Sequence, residues 1–433
     1  FDGISFLNTQ PSDQNNITDI ALSKDETVWV TSWLDGVFAY NPKKTLHFDT
    51  KDKIEVFYNY GHHRPILLDQ DGTAWFTAEG IGLLQYKVDG IMRQFTPKDG
   101  LAGQNVQDIQ QDKNETLWIA TWDGGLSSFD DKKFTNFTME NGLPSNQIRK
   151  IHIDDEGPLW IGTSQGLCRF DGKEFKTIGP AENLSHPHVR NILPQGNDIL
   201  WLTCQIHSNN NRDVTIFRLK KSSGEIKRYG KEEGFTTNRI EDLIVDSRDT
   251  VWVASHDKGV FFLPKGSEQF INWNKENKEL PGLDVASVME DRKGSIWFGT
   301  DLGAAYWPGK DLSQPLQIFQ KEKGGLAGSD VRFIYSSLRK DGKELIWMGT
   351  FGGGASIYDG KVWSSFDSRK GLINDVVRGI QQDSQNNFWF RTEGGFTRFQ
   401  PYSEKPKLGL VHALNRGKKY KNESEHFEKN AIG

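Results

Sequence analysis

Nine tryptophans of this chain stand in one recurring phrase: a few apolar residues, a short turn holding an acid or a glycine, then apolar–Trp–apolar. They are Trp29, Trp75, Trp118, Trp160, Trp201, Trp252, Trp297, Trp347 and Trp389. From the first to the last the chain takes eight steps with a mean period of 45 residues. Units of that length bury an apolar face against the next unit, as propeller and solenoid repeats do. The fourth copy, Asn141 to Ile178, is the clearest. Ile148, Ile151 and Ile153 mark a strand that turns at Asp154–Gly157; "LWIGT" (Leu159–Thr163) follows, then "GLCRF" after a turn at Gly166, then "KEFKTI". "ETLWIATWDGGLSSFD", "GSIWFGTDLGAAYWPG" and "ELIWMGTFGGGASIYDG" keep the same skeleton. Four short strands in a meander make one blade, so the chain is expected to be all-β: a single β-propeller of nine four-stranded blades.

The two ends of the repeat region complement each other. Residues 1–9, "FDGISFLNT", align with Phe170–Ile178, the turn and outer strand of a blade, while the ninth repeat stops after "GGFTRFQPYS". The N-terminal strand is therefore expected to complete the last blade and close the ring, leaving no free sheet edge. The fifth repeat carries a long insert, Gln205–Asp213, and is the one expected to be irregular. The propeller is read as residues 1–402. Residues 403–433, rich in Lys, Glu and Asn, read as a linker or the start of a truncated following domain.

Composition narrows the functional classes. The 44 glycines, 27 phenylalanines and 10 tyrosines suit a turn-rich β protein with aromatic layers between sheets. A net charge of −5 gives no general attraction for nucleic acid, and no apolar run is long enough to span a bilayer. The two cysteines, Cys168 and Cys204, lack CxxC spacing and read as buried thiols rather than a disulfide.

The pattern GL, apolar strand, D-x-x-G-x-LWIGT-x-x-GL-x-x-F-DG-x-x-F resembles the two-component regulator propeller repeat over roughly residues 1–402. The match is most specific in repeats three, four, seven and eight, and poorest in five. The resemblance implies the extracytoplasmic sensor part of a bacterial hybrid histidine kinase, many of which respond to polysaccharide fragments. It implies a periplasmic or extracellular location, and allows a homodimer through the full-length protein. "DQDGTAWFTAEGIG" in repeat two is also similar to streptogramin-lyase propeller repeats.

Ligands are expected on one face, where two sets of loops converge on the axis. The first set precedes each inner strand and ends in a polar residue: Asn16, Arg64, Asn105, Asn146, His188, Asn238, Asp284, Asp330 and Asp375. Such a ring suits hydroxyl-rich or cationic ligands; the alternative is that each side chain caps its own turn, as Asn and Asp commonly do. The second set joins the second and third strands: Trp33, Glu79, Trp122, Gln165, His207, His256, Asp301, Phe351 and Glu393. Invariant scaffold around variable tips is where recognition resides. Trp33 and Trp122 could stack on sugar rings or fill space between blades. From both sets the expected ligand-binding residues are Trp33, Glu79, Asn105, Trp122, Asn146, His188, His207, Asn238, His256 and Asp301. Three classes compete: a sensor of small molecules or oligosaccharides, a polysaccharide or streptogramin-type lyase, and a protein-interaction platform. The lyase reading would draw on His62, His63, Arg64, Tyr58, Tyr60, His186, His188, His207 and His256, whose spacing singles none out as catalytic. No metal-ligand spacing or phosphate loop occurs, so neither a metal nor a cofactor is expected.

Overall fold

Each repeat folds as the meander its turns require. A computed structural model describes residues 5–9, 17–25, 27–32, 36–41, 44–48, 66–78, 82–87, 92–155, 157–179, 184, 188–205, 214–309, 311–339, 341–383 and 386–400. Among them are nine antiparallel four-stranded sheets in a propeller arrangement. Blade 4 is representative, with an inner strand Ile148–Ile153, a second strand Leu159–Thr163, a third Gly166–Phe170 and an outer Phe175–Ile178. Blades 1 to 8 begin at Ile17, Ile66, Val106, Ile148, Val189, Ile240, Val285 and Val331. Blade 9 contains Val377–Gln382, Phe388–Thr392 and Gly395–Gln400, and its fourth strand is Ser5–Thr9 from the start of the chain. The register there runs antiparallel from Ser5 opposite Gln400 to Thr9 opposite Phe396.

Blade 5 is regular, contrary to the expectation for it. Its strands Val189–Gln195, Ile199–Gln205, Val214–Lys220 and Glu225–Tyr229 pair in order, and they are longer than those of blade 4. The insert falls between its second and third strands, where it leaves the ladder intact.

The acid of the repeated phrase explains its constancy. In six blades an aspartate six residues before the tryptophan accepts the indole Nε1–H at 2.7–3.1 Å: Asp69, Asp112, Asp154, Asp246, Asp291 and Asp383. The other carboxylate oxygen caps the turn. Asp291 Oδ1 accepts the backbone N–H groups of Lys293 and Ser295, both at 2.9 Å. One side chain thus fixes the hairpin and aims the indole. Gln195 takes the part for Trp201 at 2.8 Å, and Ser337 for Trp347 at 3.0 Å.

The aimed indoles make the core. Nine apolar clusters join successive blades, including one between blades 9 and 1 that holds Trp389, Phe396, Val30, Phe38 and Tyr40. In most of them the tryptophan reaches an aromatic at the end of the next blade's third strand. Trp118 meets Phe170 at 5.8 Å edge-on, Trp252 meets Trp307 at 5.5 Å, and Trp389 meets Tyr40 at 5.3 Å. Such pairs contribute roughly 0.5–1.5 kcal/mol each beyond their buried area. Cys168 and Cys204 are buried free thiols on opposite sides of blade 4, one in the cluster with blade 3 and the other in the cluster with blade 5. Burial pushes the Cys168 thiol up to about 12, and the Cys204 thiol is raised for the same reason.

A second device ties the inner strands together. In eight blades the pairing of inner and second strand slips by one residue at the same place, a bulge that leaves one extra residue on the inner strand. Just beyond it, Asp108 accepts the Ile151 N–H of the next blade at 2.9 Å, and Asp242 accepts that of Val288 at 3.0 Å. These carboxylates answer backbone donors that an inner-edge strand would otherwise leave open. Burial raises both carboxyl pKa values.

Two outcomes test these joins. Deleting residues 1–9 should expose the edge of Gly395–Gln400, lowering the melting temperature or causing aggregation; unchanged melting would deny Ser5–Thr9 any part in holding the blades together. Asp154 receives Trp160 and, from blade 5, Lys221 Nζ at 2.5 Å. Burial alone would raise its carboxyl pKa, but these two hydrogen bonds outweigh burial and hold it below the usual range. Its contribution is therefore present above the unfolded-state carboxylate range and lost as pH falls through the depressed folded value. Asp154→Asn should cost about 2 kcal/mol at pH 7 by urea denaturation, with a deficit that shrinks toward pH 3.

Candidate functional site

The two loop sets meet on one face because their backbones are bonded together. Within a blade, the tip between second and third strands donates to the loop entering the inner strand. Trp122 N–H bonds Asn105 O at 2.8 Å, Gln205 bonds His188 O at 2.8 Å, Asp301 bonds Asp284 O at 3.0 Å, and Phe351 bonds Asp330 O at 2.8 Å. The same tips donate onward to the next blade, Gly125 to Asn146 O at 2.9 Å, Val214 to Asn238 O at 2.7 Å, and Gly354 to Asp375 O at 2.8 Å. The contact leaves no room for side chains between the loops: a Cβ on Gly124 would stand 1.9 Å from Ala102 O.

The polar residues before the inner strands therefore serve first through their carbonyls, which frees their side chains to differ. Asn146 Oδ1 accepts the Met139 N–H at 2.8 Å, and Asp375 Oδ1 accepts that of Ser368 at 2.6 Å, so these two brace their own loops. Asn238 is exposed and Asn105 half-buried. Trp33, Glu79 and His207 lie outside the described residues, as do Asn16, Tyr58, Tyr60, His62, His63, Arg64 and His186.

Of the expected ligand-binding residues, the structure draws together Trp122 with His188, while His256 and Asp301 each lie beside Asp284. The Trp122 and His188 rings lie 5.5 Å apart, and the Arg149 guanidinium stands 5.2 Å from the Trp122 ring. On blades 6 to 8, His256 Nδ1 is 3.4 Å from Glu241 and 3.2 Å from Asp284, which also pairs with Arg332 at 3.0 Å. Arg332 is within 2.5 Å of Asp330 as well. Burial, together with the negative charges of Asp284 and Asp330, raises the Asp301 carboxyl pKa. At blade 9, Arg378 lies 5.1 Å from the Phe351 ring and 2.5 Å from Glu393. Phe351 is 49% exposed.

The residues that sequence reasoning missed are the bulge residues: Gln107, Arg149, Arg190, Glu241, Ala286, Arg332 and Arg378 each fill that position in blades 3 to 9. A signal for them existed. "IRKI", "VRNI", "VRFI" and "VRGI" repeat at the start of inner strands four, five, eight and nine. As strict alternation they read as ordinary strand, and only the slipped register sets the arginine apart.

Residues 100–123, 142–165, 279–301 and 371–394 match the family described as the two-component regulator propeller. Four of the nine repeats of this chain, in blades 3, 4, 7 and 9, are thus two-component regulator propeller repeats. Each match runs from the incoming loop to the tip, which are the two parts bonded together at this face. The eighth repeat, expected among the most specific, is not among the matches, whereas the ninth is; blade 8 has the long first hairpin Val331–Leu338 and Glu344–Thr350. The Dos1 propeller, at 11% identity, covers 94% of this chain and 96% of its own with a TM-score of 0.52, which shows the shared fold. The extracellular domain of the hybrid two-component system BT3049 from B. thetaiotaomicron is 17% identical over 94% of this chain, with a TM-score of 0.45. This chain spans 65% of that domain's length. A streptogramin B lyase structure is 15% identical, covering 68% of this chain and 94% of its own, with a TM-score of 0.42. No curated protein matches the chain. Among the described residues no helix is long and apolar enough to cross a membrane, and no three His, Cys, Asp or Glu side chains are grouped to hold a metal ion.

Asn146 and Trp122 should separate in their effects. Asn146→Ala removes a loop brace and should cost about 1 kcal/mol of stability, read as a lowered urea midpoint. Trp122→Ala should leave that midpoint nearly where it was, because its ring lies among the tips rather than in an inter-blade cluster.

Proposed function

We propose that this chain is the ligand-sensing propeller of a bacterial signalling protein, sited in the periplasm or outside the cell, and that it takes a carbohydrate on the face where its loops converge. The observation that carries the reading is the convergence itself. Rigid backbone bonding between tips and incoming loops presents side chains from several blades at fixed spacing, with half-buried Trp122 and exposed Phe351 as planar surfaces. Aromatic planes beside charged and amide groups match the alternating apolar and hydroxyl surfaces of a pyranose. The family repeats in blades 3, 4, 7 and 9 support a sensory role. Binding without turnover follows from this reading, as does a signal carried by the protein of which the propeller is part.

A panel of neutral and acidic oligosaccharides, screened by thermal shift and titrated calorimetrically, tests it. At least one should bind stoichiometrically and be recovered intact, and Trp122→Ala should weaken that binding about tenfold. An unsaturated product absorbing in the near-ultraviolet would replace the sensor by a lyase. No binding by any glycan, with recovery of a defined protein partner, would replace it by an interaction platform.

A further inference from the structure

Among the described residues, Phe351 is the one aromatic ring among the exposed large apolar side chains. Backbone bonds to two blades hold it out. Its own N–H bonds Asp330 O at 2.8 Å, and the N–H groups of Gly352 and Gly354 both bond Asp375 O of blade 9, at 3.1 and 2.8 Å. The tip has no slack against its incoming loop, since a Cβ on Gly353 would stand 2.4 Å from Gly328 Cα. An aromatic plane fixed in this way is preorganised for a partner from solvent. Beside it stands an ion pair that is half open. Arg378, the bulge residue of blade 9, lies 5.1 Å from the ring and takes Glu393 Oε1 with both Nε, at 3.2 Å, and Nη2, at 2.5 Å. Glu393 Oε2 and Arg378 Nη1 have no hydrogen-bond partner among the described residues, and both side chains reach solvent. Arg332, the bulge residue of blade 8, is the contrast: Asp330 takes its Nε and Nη2, and Asp284 takes its Nη1. Its fork is closed, and that of Arg378 keeps one donor beside one free acceptor.

Resting on the carbohydrate reading above, we infer that Phe351, Arg378 and Glu393 form a subsite for a neutral pyranose. A hydroxyl both donates and accepts. Two adjacent hydroxyls can therefore give a hydrogen to Glu393 Oε2 and take one from Arg378 Nη1, while the C–H face of the sugar rests on the open part of the Phe351 ring. The ion pair sets the charge of the ligand. An anionic group would have to part Glu393 from Arg378, and a cationic one would have to part Arg378 from Glu393, each losing a charge-assisted bond. A pair of hydroxyls uses the donor and acceptor left over and disturbs neither. The neighbouring blades turn anions away as well: the Phe351 tip is bonded to the loop of Asp330, which Arg332 joins to Asp284.

The test titrates the 433-residue chain with maltohexaose and mannohexaose (neutral), tetragalacturonate (anionic) and glucosamine hexaose (cationic). The variants are Phe351→Ala, Phe351→Tyr, Glu393→Gln and, as a control at the exposed apolar tip of blade 7, Leu302→Ala, each checked for wild-type melting. At least one neutral probe should bind, with an affinity that salt leaves unchanged, and neither charged probe should bind as well. Phe351→Ala and Glu393→Gln should each weaken the neutral probe tenfold or more, Phe351→Tyr should stay within threefold, and Leu302→Ala within twofold. Glu393→Gln leaves Arg378 without its carboxylate, so this variant should gain binding of tetragalacturonate, a gain that a merely structural pair would not give. Equal or tighter binding of a charged probe by the wild type, or unchanged neutral affinity in both Phe351→Ala and Glu393→Gln, overturns the subsite and leaves the carbohydrate reading standing. If no oligosaccharide binds, the carbohydrate reading falls, and methyl α-mannopyranoside decides the subsite alone, read by fluorine resonance with para-fluorophenylalanine at position 351. A saturable shift that Glu393→Gln abolishes sustains it; no shift overturns it.

Discussion

Everything in this propeller hangs on a carboxylate that serves two masters. Asp112, Asp246 and Asp291 each cap a hairpin turn with one oxygen and hold a tryptophan indole with the other. A buried indole N–H without a partner costs about 1–3 kcal/mol, and a hairpin without its cap has no fixed exit angle. Joining both needs in one side chain couples local chain geometry to inter-blade packing. The tryptophan is then delivered at a set angle to the next blade's aromatic, and the blade spacing follows. In blade 5 Gln195 stands at the aspartate's own position and makes the indole bond, and in blade 8 Ser337 makes it from ten residues before the tryptophan. The bond to the indole is kept in blades where the cap's residue type is not.

The face where the loops converge is a by-product of the same regularity. In eight blades a bulge at one register adds one residue to the inner strand, and carbonyl bonds hold every described tip to its incoming loop. Because these restraints use backbone atoms, the side chains at the face can vary without cost to the fold. That is why one face carries Trp122, Arg149 and His188 on one side and Glu241, Asp284 and Asp330 on the other. The scaffold sets where groups stand, and the substitutions at those places set which chemistry they perform.

Period, strand number and blade count were written in the sequence because each depends on local patterning: alternation within strands, glycine and aspartate at turns, and one tryptophan per unit. The regularity of blade 5 was less legible, since an insertion in a tip loop looks in sequence like an interruption of the sheet. The site divided along a similar line. Trp122, His256 and Asp301 were singled out because loop tips vary against a constant frame, and His188 because it precedes an inner strand. Asn146 fits the capping alternative, as its amide oxygen braces the Met139 loop.

The sequence by itself pointed to a nine-bladed propeller with two loop sets on one face, because a fixed period, with four short strands in a meander per repeat, makes each unit a blade that buries its tryptophan against the next. Only the tertiary structure decided which groups meet there. Arg149 and Arg190 look like ordinary members of an alternating strand, and only a one-residue slip in pairing with the second strand sets them apart. Arg378 and Glu393 are fifteen residues apart in the chain, and Trp122 and His188 belong to blades that are not neighbours. Such pairings are set by the angle between blades, which no stretch of one repeat encodes.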